Sequence, residues 1–158
     1  MNDEIKNRYE NIIKEINLHL ANFNQHLKEP FELSPIDIEN PANFSIIWNC
    51  KWADQHWPSK DSPGVYVLCG RSPEPPGQPG IYIGKASSQN IGYRIWNHLI
   101  PYRKEGIYKL GNHKFLLEAI LAIPVNGPLP RYFASALEEY LIDKKCSGAT
   151  VVNTVGNR

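Results

Sequence analysis

Two glycine-bounded apolar stretches constrain this chain more than any other feature: Gly64-Val65-Tyr66-Val67-Leu68-Cys69-Gly70 and Gly80-Ile81-Tyr82-Ile83-Gly84. Both are rich in β-branched and aromatic residues and read as short strands, the second running from Ile81 to Lys85 with its apolar pattern stopped at Gly84. Only Arg71 to Gly80 separates them, a connection carrying Pro73, Pro75, Pro76 and Pro79. The pair therefore reads as a hairpin with a tyrosine on each arm, joined by a proline-stiffened surface loop that is long for a hairpin. A polar loop, Ala86 to Asn90, follows, and Ile91 to Ile100 reads as a helix ended by Pro101. Arg94 and His98 lie four apart on that helix and share one face. The stretch Gly80 to Leu99 thus offers a phenol, an ammonium (Lys85), a guanidinium and an imidazole in one place, and Tyr66 adds a second phenol.

Upstream, Asp3 to about Leu27 reads as an amphipathic helix. Ile5, Tyr9, Ile12, Ile13, Ile16, Leu20, Phe23 and Leu27 recur in steps of three and four. Asn2 or Asp3 can cap it and Pro30 ends it. Its stripe must be buried, most simply on the domain that follows. His19 and His26 on this helix read as surface or core-edge residues, not metal ligands. Phe31 to Pro63 is broken by prolines, and within it Phe44 to Trp48 fits a strand or a helical turn equally. Trp48, Trp52 and Trp57 crowd together there. They suit a base-stacking platform for nucleic acid or a satellite core tying the N-terminal helix to the domain; with no glycine-rich or basic context around them, the core reading is preferred.

Downstream, Tyr102 to Lys114 reads as a polar, basic loop in which Arg103, Lys104, Lys109 and Lys114 face one acid, Glu105, with Tyr102 and Tyr108 interleaved. Phe115 to Val125 is apolar and is expected to be the third, central strand, although its residues also suit a helix. Pro128 and Pro130 set up a helix from about Arg131 to Lys145, with Phe133, Ala136, Leu137, Tyr140 and Leu141 as its stripe. Cys146 to Thr150 reads as a turn, and Val151-Val152-Asn153 returns to the core.

These elements fit 158 residues and one sizeable core. The expected architecture is a small α/β (α+β) fold. A three-stranded, mostly antiparallel sheet flanked by helices spans 64–158, preceded by an N-terminal helical extension over 1–63. No apolar run approaches a membrane span and no secretory signal is visible. Cys50, Cys69 and Cys146 are odd in number and lack C-x-x-C spacing. That argues against a disulfide framework or a thiolate zinc site and favours a reducing, cytoplasmic compartment. Cys69 reads as a small apolar residue ending a strand rather than as a nucleophile. The formal net charge of +1 hides an asymmetry: residues 1–40 carry −4 and residues 41–158 carry +5, which is compatible with a nucleic-acid partner for the second part.

Taken together, these residues resemble the GIY-YIG nuclease family. Gly64-Val65-Tyr66 stands for GIY, and Tyr82-Ile83-Gly84 is YIG intact. The family's arginine and histidine fall on Arg94 and His98, its metal-binding glutamate on Glu138 within Ala136-Leu137-Glu138-Glu139-Tyr140-Leu141-Ile142, and its closing asparagine on Asn153. The resemblance runs from Gly64 to about Asn153 and rests on the order and spacing of all six elements, since no one of them is specific alone.

The resemblance implies an endonuclease that hydrolyses DNA phosphodiester bonds with Mg²⁺ (or Mn²⁺). Glu138 would hold the ion, and Arg94 would fork onto the scissile phosphate. Tyr66 would act as base or water-positioning group, with its phenol lowered by Lys85, Arg94 and the metal, and Tyr82 could exchange roles with it. His98 would relay a proton, and Asn153 would orient the site or fix the helix carrying Glu138. Arg103, Lys104, Lys109 and Lys114 then become candidates for phosphate contact. With little sequence after Asn153, specificity is expected to come from loops, from residues 1–63, from dimerisation (monomer or homodimer) or from a protein partner. Stand-alone restriction-type members, toxins and mobile-element nucleases share that economy. The alternative is a catalytically inactive nucleic-acid-binding or partner-activating module on the same fold; the intact Tyr66, Tyr82, Arg94, His98 and Glu138 set speaks against it.

Overall fold

The computed structural model describes residues 2–28, 33–47, 51–75, 77–102, 107–110, 113–127, 129–146 and 149–153. Along these the elements are α1 (Asn2–Gln25), β1 (Phe44–Ile46), β2 (Gly64–Arg71), β3 (Pro79–Ala86), α2 (Ile91–Leu99), β4 (Ile107–Leu110), β5 (His113–Pro124), α3 (Pro130–Lys144) and β6 (Thr150–Val151). The fold is mixed α/β, with three α-helices and one six-stranded sheet among the described residues. Strand order is β1-β5-β2-β3-β6, and β4 pairs with the outer part of β5. Every pairing is antiparallel except that of β3 with β6.

The three strands expected from the sequence are neighbours at the centre of this sheet, but the sheet is not three-stranded. The backbone groups along the free sides of β3 and β5 need partners, and β1, β4 and β6 supply them. Phe44–Ile46 is thus a strand, not a helical turn, and it joins residues upstream of the expected 63/64 boundary to the same sheet. The stretch from Tyr102 to Lys114 is not a simple loop: a 3₁₀ turn spans Ile100–Tyr102, and β4 pairs back onto the start of β5. β3 runs from Pro79 to Ala86, two residues earlier and one later than the expected Ile81 to Lys85.

Alternation along β2 and β3 divides the core into two layers. Val65, Val67, Cys69, Ile81 and Ile83 face a layer built with α1 and α3. Tyr66, Leu68 and Tyr82 face a second layer built with α2 and the Trp52–Trp57 segment. The stripe of α1 is buried as its spacing predicts, and Phe23 meets Tyr140 of α3 at 5.3 Å between ring centroids. That burial closes the stripe to a dimer contact, and it sets the acidic helix on the sheet face opposite Tyr66 and Tyr82. Trp52 and Trp57 are 3% and 8% exposed, too enclosed to stack bases, so the core reading of them holds. They tie down α2, however, and not α1: both rings pack on Trp96, and the Trp57 indole donates to the Trp52 carbonyl at 2.7 Å. Trp48 and Cys50 lie outside the described residues. No described helix is long and apolar enough to cross a membrane.

One buried acid locks α1 to the sheet. The register of β5 against β2 shifts between Cys69 and Gly70, leaving Glu118 unpaired on β5 as a bulge residue. Its carboxylate accepts from the Arg8 guanidinium at 2.6 Å, the Tyr9 hydroxyl at 2.7 Å and Arg71 Nε at 2.8 Å. Glu118→Ala leaves the buried Tyr9 hydroxyl without its acceptor and Arg8 with Glu4 alone, and is expected to lower unfolding stability by about 3 kcal/mol, whereas Arg71→Ala, from a half-exposed partner, costs about 1 kcal/mol or less. Urea titration of the two variants beside the parent protein checks the difference.

Candidate active site

The centre of the site is set by a close approach between two strands. Tyr66 of β2 pairs with Gly84 of β3, and a Cβ on Gly84 would lie 2.5 Å from the Tyr66 hydroxyl oxygen. The Tyr66 ring therefore lies across Gly84, which explains a glycine inside a continuing strand. Gly64, two residues earlier, has φ of 152° and sits against the Ile123 carbonyl, a conformation and an approach closed to side chains.

The start of α2 is fixed by three contacts. The Asn90 side chain accepts from the Tyr93 amide at 2.7 Å, an N-cap. The Ile91 and Gly92 amides donate to the Ser62 and Lys60 carbonyls, both at 2.8 Å. The helix is thereby held beside the first residues of β2, and Arg94 and His98 come to the Tyr66–Tyr82 face.

On that face the rings form a continuous stack. Tyr66 and Tyr82 lie 6.3 Å apart between centroids and are hydrogen-bonded. His98 stacks on Tyr82 at 4.7 Å and 19°, and Tyr108 of β4 follows at 6.5 Å. His98 Nε2 and the Tyr108 hydroxyl are buried and make no hydrogen bond among the described residues. Burial, with Arg94 adding to it, lowers the His98 pKa to about 4, so the ring is neutral near pH 7. Burial likewise raises Tyr66 above the ordinary phenol value. Tyr82 and Glu138 push it the same way, and Arg94 opposes them. Among the protein's own cations the expected lowering of Tyr66 does not occur: desolvation exceeds the pull of Arg94, and the Lys85 ammonium faces Glu138.

That ammonium lies 3.2 Å from Glu138 Oε2. Lys85 shares the strand parity of Ile81 and Ile83 and reaches α3 at Glu138. Glu138, on the sheet-facing side of α3, is fully buried. The Glu138 charge is near enough to act on the Tyr66 phenol. A buried carboxylate already facing a positive charge suits a cation. No group of three or more His, Cys, Asp or Glu lies together among the described residues, so an ion at Glu138 would take its other ligands from water and substrate, as Mg²⁺ readily does.

The hydrogen bonds of the Asn153 side chain go to β3. Its amide donates to the Ile83 carbonyl at 2.6 Å and accepts from the Ile83 amide at 3.1 Å, continuing the β6 ladder along β3 between Tyr82 and Gly84. It fixes the strand that carries the site. Lys109 and Lys114 are direct cross-strand partners on the β4–β5 hairpin. Lys114 stands eight residues along β5 from Ala122, the partner of Tyr66, so roughly 27 Å of strand separates it from the Tyr66 end of the stack, while its neighbour Phe115 pairs with Tyr108 at the other end. Arg103 and Lys104 lie outside the described residues. A groove of about 370 Å³ near that far end, lined by Ser72, Glu74, Gln78, His113 and Lys114 among others, includes no candidate catalytic residue. The sequence reading missed Tyr108, whose only signal was an aromatic among polar neighbours, and the role of Gly84, visible only once the two strands are in register.

Compared with models of protein families, with curated proteins and with solved structures, the chain matches none.

Two predictions follow from the geometry. Gly84→Ala should cost about 1–3 kcal/mol by displacing the Tyr66 ring, and the cost should largely vanish in a Tyr66→Ala background, a coupling that a double-mutant cycle in urea measures. His98 binds a proton more readily unfolded (near 6.5) than folded (about 4), so it favours the folded state above pH 6.5. That advantage, up to about 3 kcal/mol, is lost as pH falls from 6.5 to 4. Urea midpoints of the parent should fall over this window more than those of His98→Gln; an NMR midpoint for His98 near 6.5 would refute the shift.

Proposed function

We propose that the chain is a metal-dependent endonuclease of the GIY-YIG type, hydrolysing phosphodiester bonds in DNA. One observation carries the reading: Tyr66 lies against Tyr82 and within electrostatic reach of both Arg94 and Glu138, groups brought from β2, β3, α2 and α3. Such a grouping divides the labour of phosphate hydrolysis, which needs an oriented water, neutralised phosphoryl oxygens and a way out for a proton.

Arg94 takes the scissile phosphate, a bidentate task that its planar guanidinium suits. Tyr66 acts as a neutral phenol, hydrogen-bonded to Tyr82, that holds the attacking water in line and does not stand as a phenolate. His98 is neutral with Nε2 unpartnered, so it can accept a proton. An anionic phosphate on Arg94 offsets one of the two causes that depress the imidazole, making it a better base when substrate is present. Glu138 would hold Mg²⁺ or Mn²⁺, which when bound supplies Lewis-acid stabilisation of the phosphoryl oxygens. Lys109 and Lys114, like charges directly opposite each other, suit backbone phosphates well away from the scissile one.

Purified protein should nick supercoiled plasmid in Mg²⁺ and not in EDTA. Arg94→Ala should lower kcat by more than about a hundredfold. Glu138→Gln should abolish cleavage while leaving DNA binding within a few-fold, and Tyr66→Phe should be more harmful than Tyr82→Phe. Full Mg²⁺-dependent activity in Glu138→Gln would sink the site assignment, and folded protein that cleaves neither DNA nor RNA would sink the function.

A further inference from the structure

Glu138 is fully buried, and the Lys85 side chain facing its Oε2 is only 19% exposed. A carboxylate in such a place needs a positive neighbour, because desolvation of an unpaired charge exceeds what packing returns. Lys85 reaches it from β3, the strand held in place by Asn153, and α3 covers the pair. A divalent cation on the same carboxylate would stand beside the ammonium, where like charges in a low-dielectric interior repel strongly. The two cannot share Glu138 without cost.

We infer that Lys85 is a built-in counter-cation that occupies the place of the divalent ion at Glu138, so that metal enters only by displacing the ammonium. The inference rests on the nuclease reading in taking Glu138 as the metal carboxylate, and it gives Lys85 a role there. The metal-free protein is then already organised around its acid. Metal affinity in the absence of nucleic acid is weak because Lys85 competes, and loading frees a lysine ammonium at the site. Lys85 in this account is a positioning residue acting through Glu138.

The test uses the full chain without nucleic acid. Mn²⁺ binding is counted from the free-ion EPR signal, and thermal midpoints are read with EDTA and with millimolar Mn²⁺. Lys85→Met should lower the EDTA midpoint by on the order of 10 °C. It should recover much of that loss in Mn²⁺ and bind Mn²⁺ at least about tenfold more tightly than the parent. Adding Glu138→Gln to Lys85→Met should abolish the Mn²⁺ binding and restore stability in EDTA, since a neutral amide needs no counter-ion. Lys85→Arg keeps the positive charge and keeps the experiment decisive if Lys85→Met does not fold. It should bind Mn²⁺ no more tightly than the parent. Mn²⁺ binding that is unchanged or weaker in Lys85→Met, or tighter in Lys85→Arg, overturns the inference. Plasmid nicking by a parent protein whose Mn²⁺ affinity ignores Lys85 would remove this inference alone. Competition at Glu138 without any cleavage would remove only the nuclease reading.

Discussion

Everything in this fold is registered on β2. It lies between β3 and β5, is covered on both faces, and all its residues but Arg71 are buried. A strand enclosed on both faces cannot slip by one position without exchanging the two cores, because each side chain would change layers. Two contacts hold the register. The Tyr66 ring needs the open space over Gly84, and Gly64 needs to lie against the Ile123 carbonyl. The same register that assigns aliphatic residues to the α1/α3 layer assigns the phenols to the α2 layer.

Burial then sets the chemistry. Tyr66 and His98 are enclosed enough that each is pushed toward its neutral form, the phenol upward and the imidazole downward. The charges that act on them come from Arg94 and, at Tyr66, from Glu138, which is paired with Lys85. A site of this kind is quiet without a ligand. An anion at Arg94 would change the field that both neutral groups feel, since Arg94 acts on each of them.

Much of this was legible in the sequence. The stripe of α1, the hairpin with its two tyrosines, the Arg94–His98 spacing and the apolar run of β5 all follow from periodicity, which records burial directly. What escaped depends on pairing across the chain. β1, β4 and β6 are too short to carry a pattern, and they are strands only because an edge of β3 or β5 receives them. The tryptophans were rightly placed in a core, but which helix they serve depends on which face Trp96 occupies. Glu118 was visible as a lone acid in an apolar run, yet the bulge that turns it toward Arg8 and Tyr9 is a property of two strands together. Lys85 and Glu138 stand more than fifty residues apart, and nothing local pairs them.

The two hydrogen bonds from Asn153 to Ile83 have a bearing on solubility. Among the described residues β6 pairs with β3 at only two positions, and at Ile83 a side chain takes the place of strand backbone. A side-chain amide, unlike another stretch of backbone, satisfies one donor and one acceptor and then offers no further ladder to extend. Asn153 thus acts as a terminator of β-pairing at the sheet edge nearest the site, and it discourages one copy of the chain from zipping onto another there.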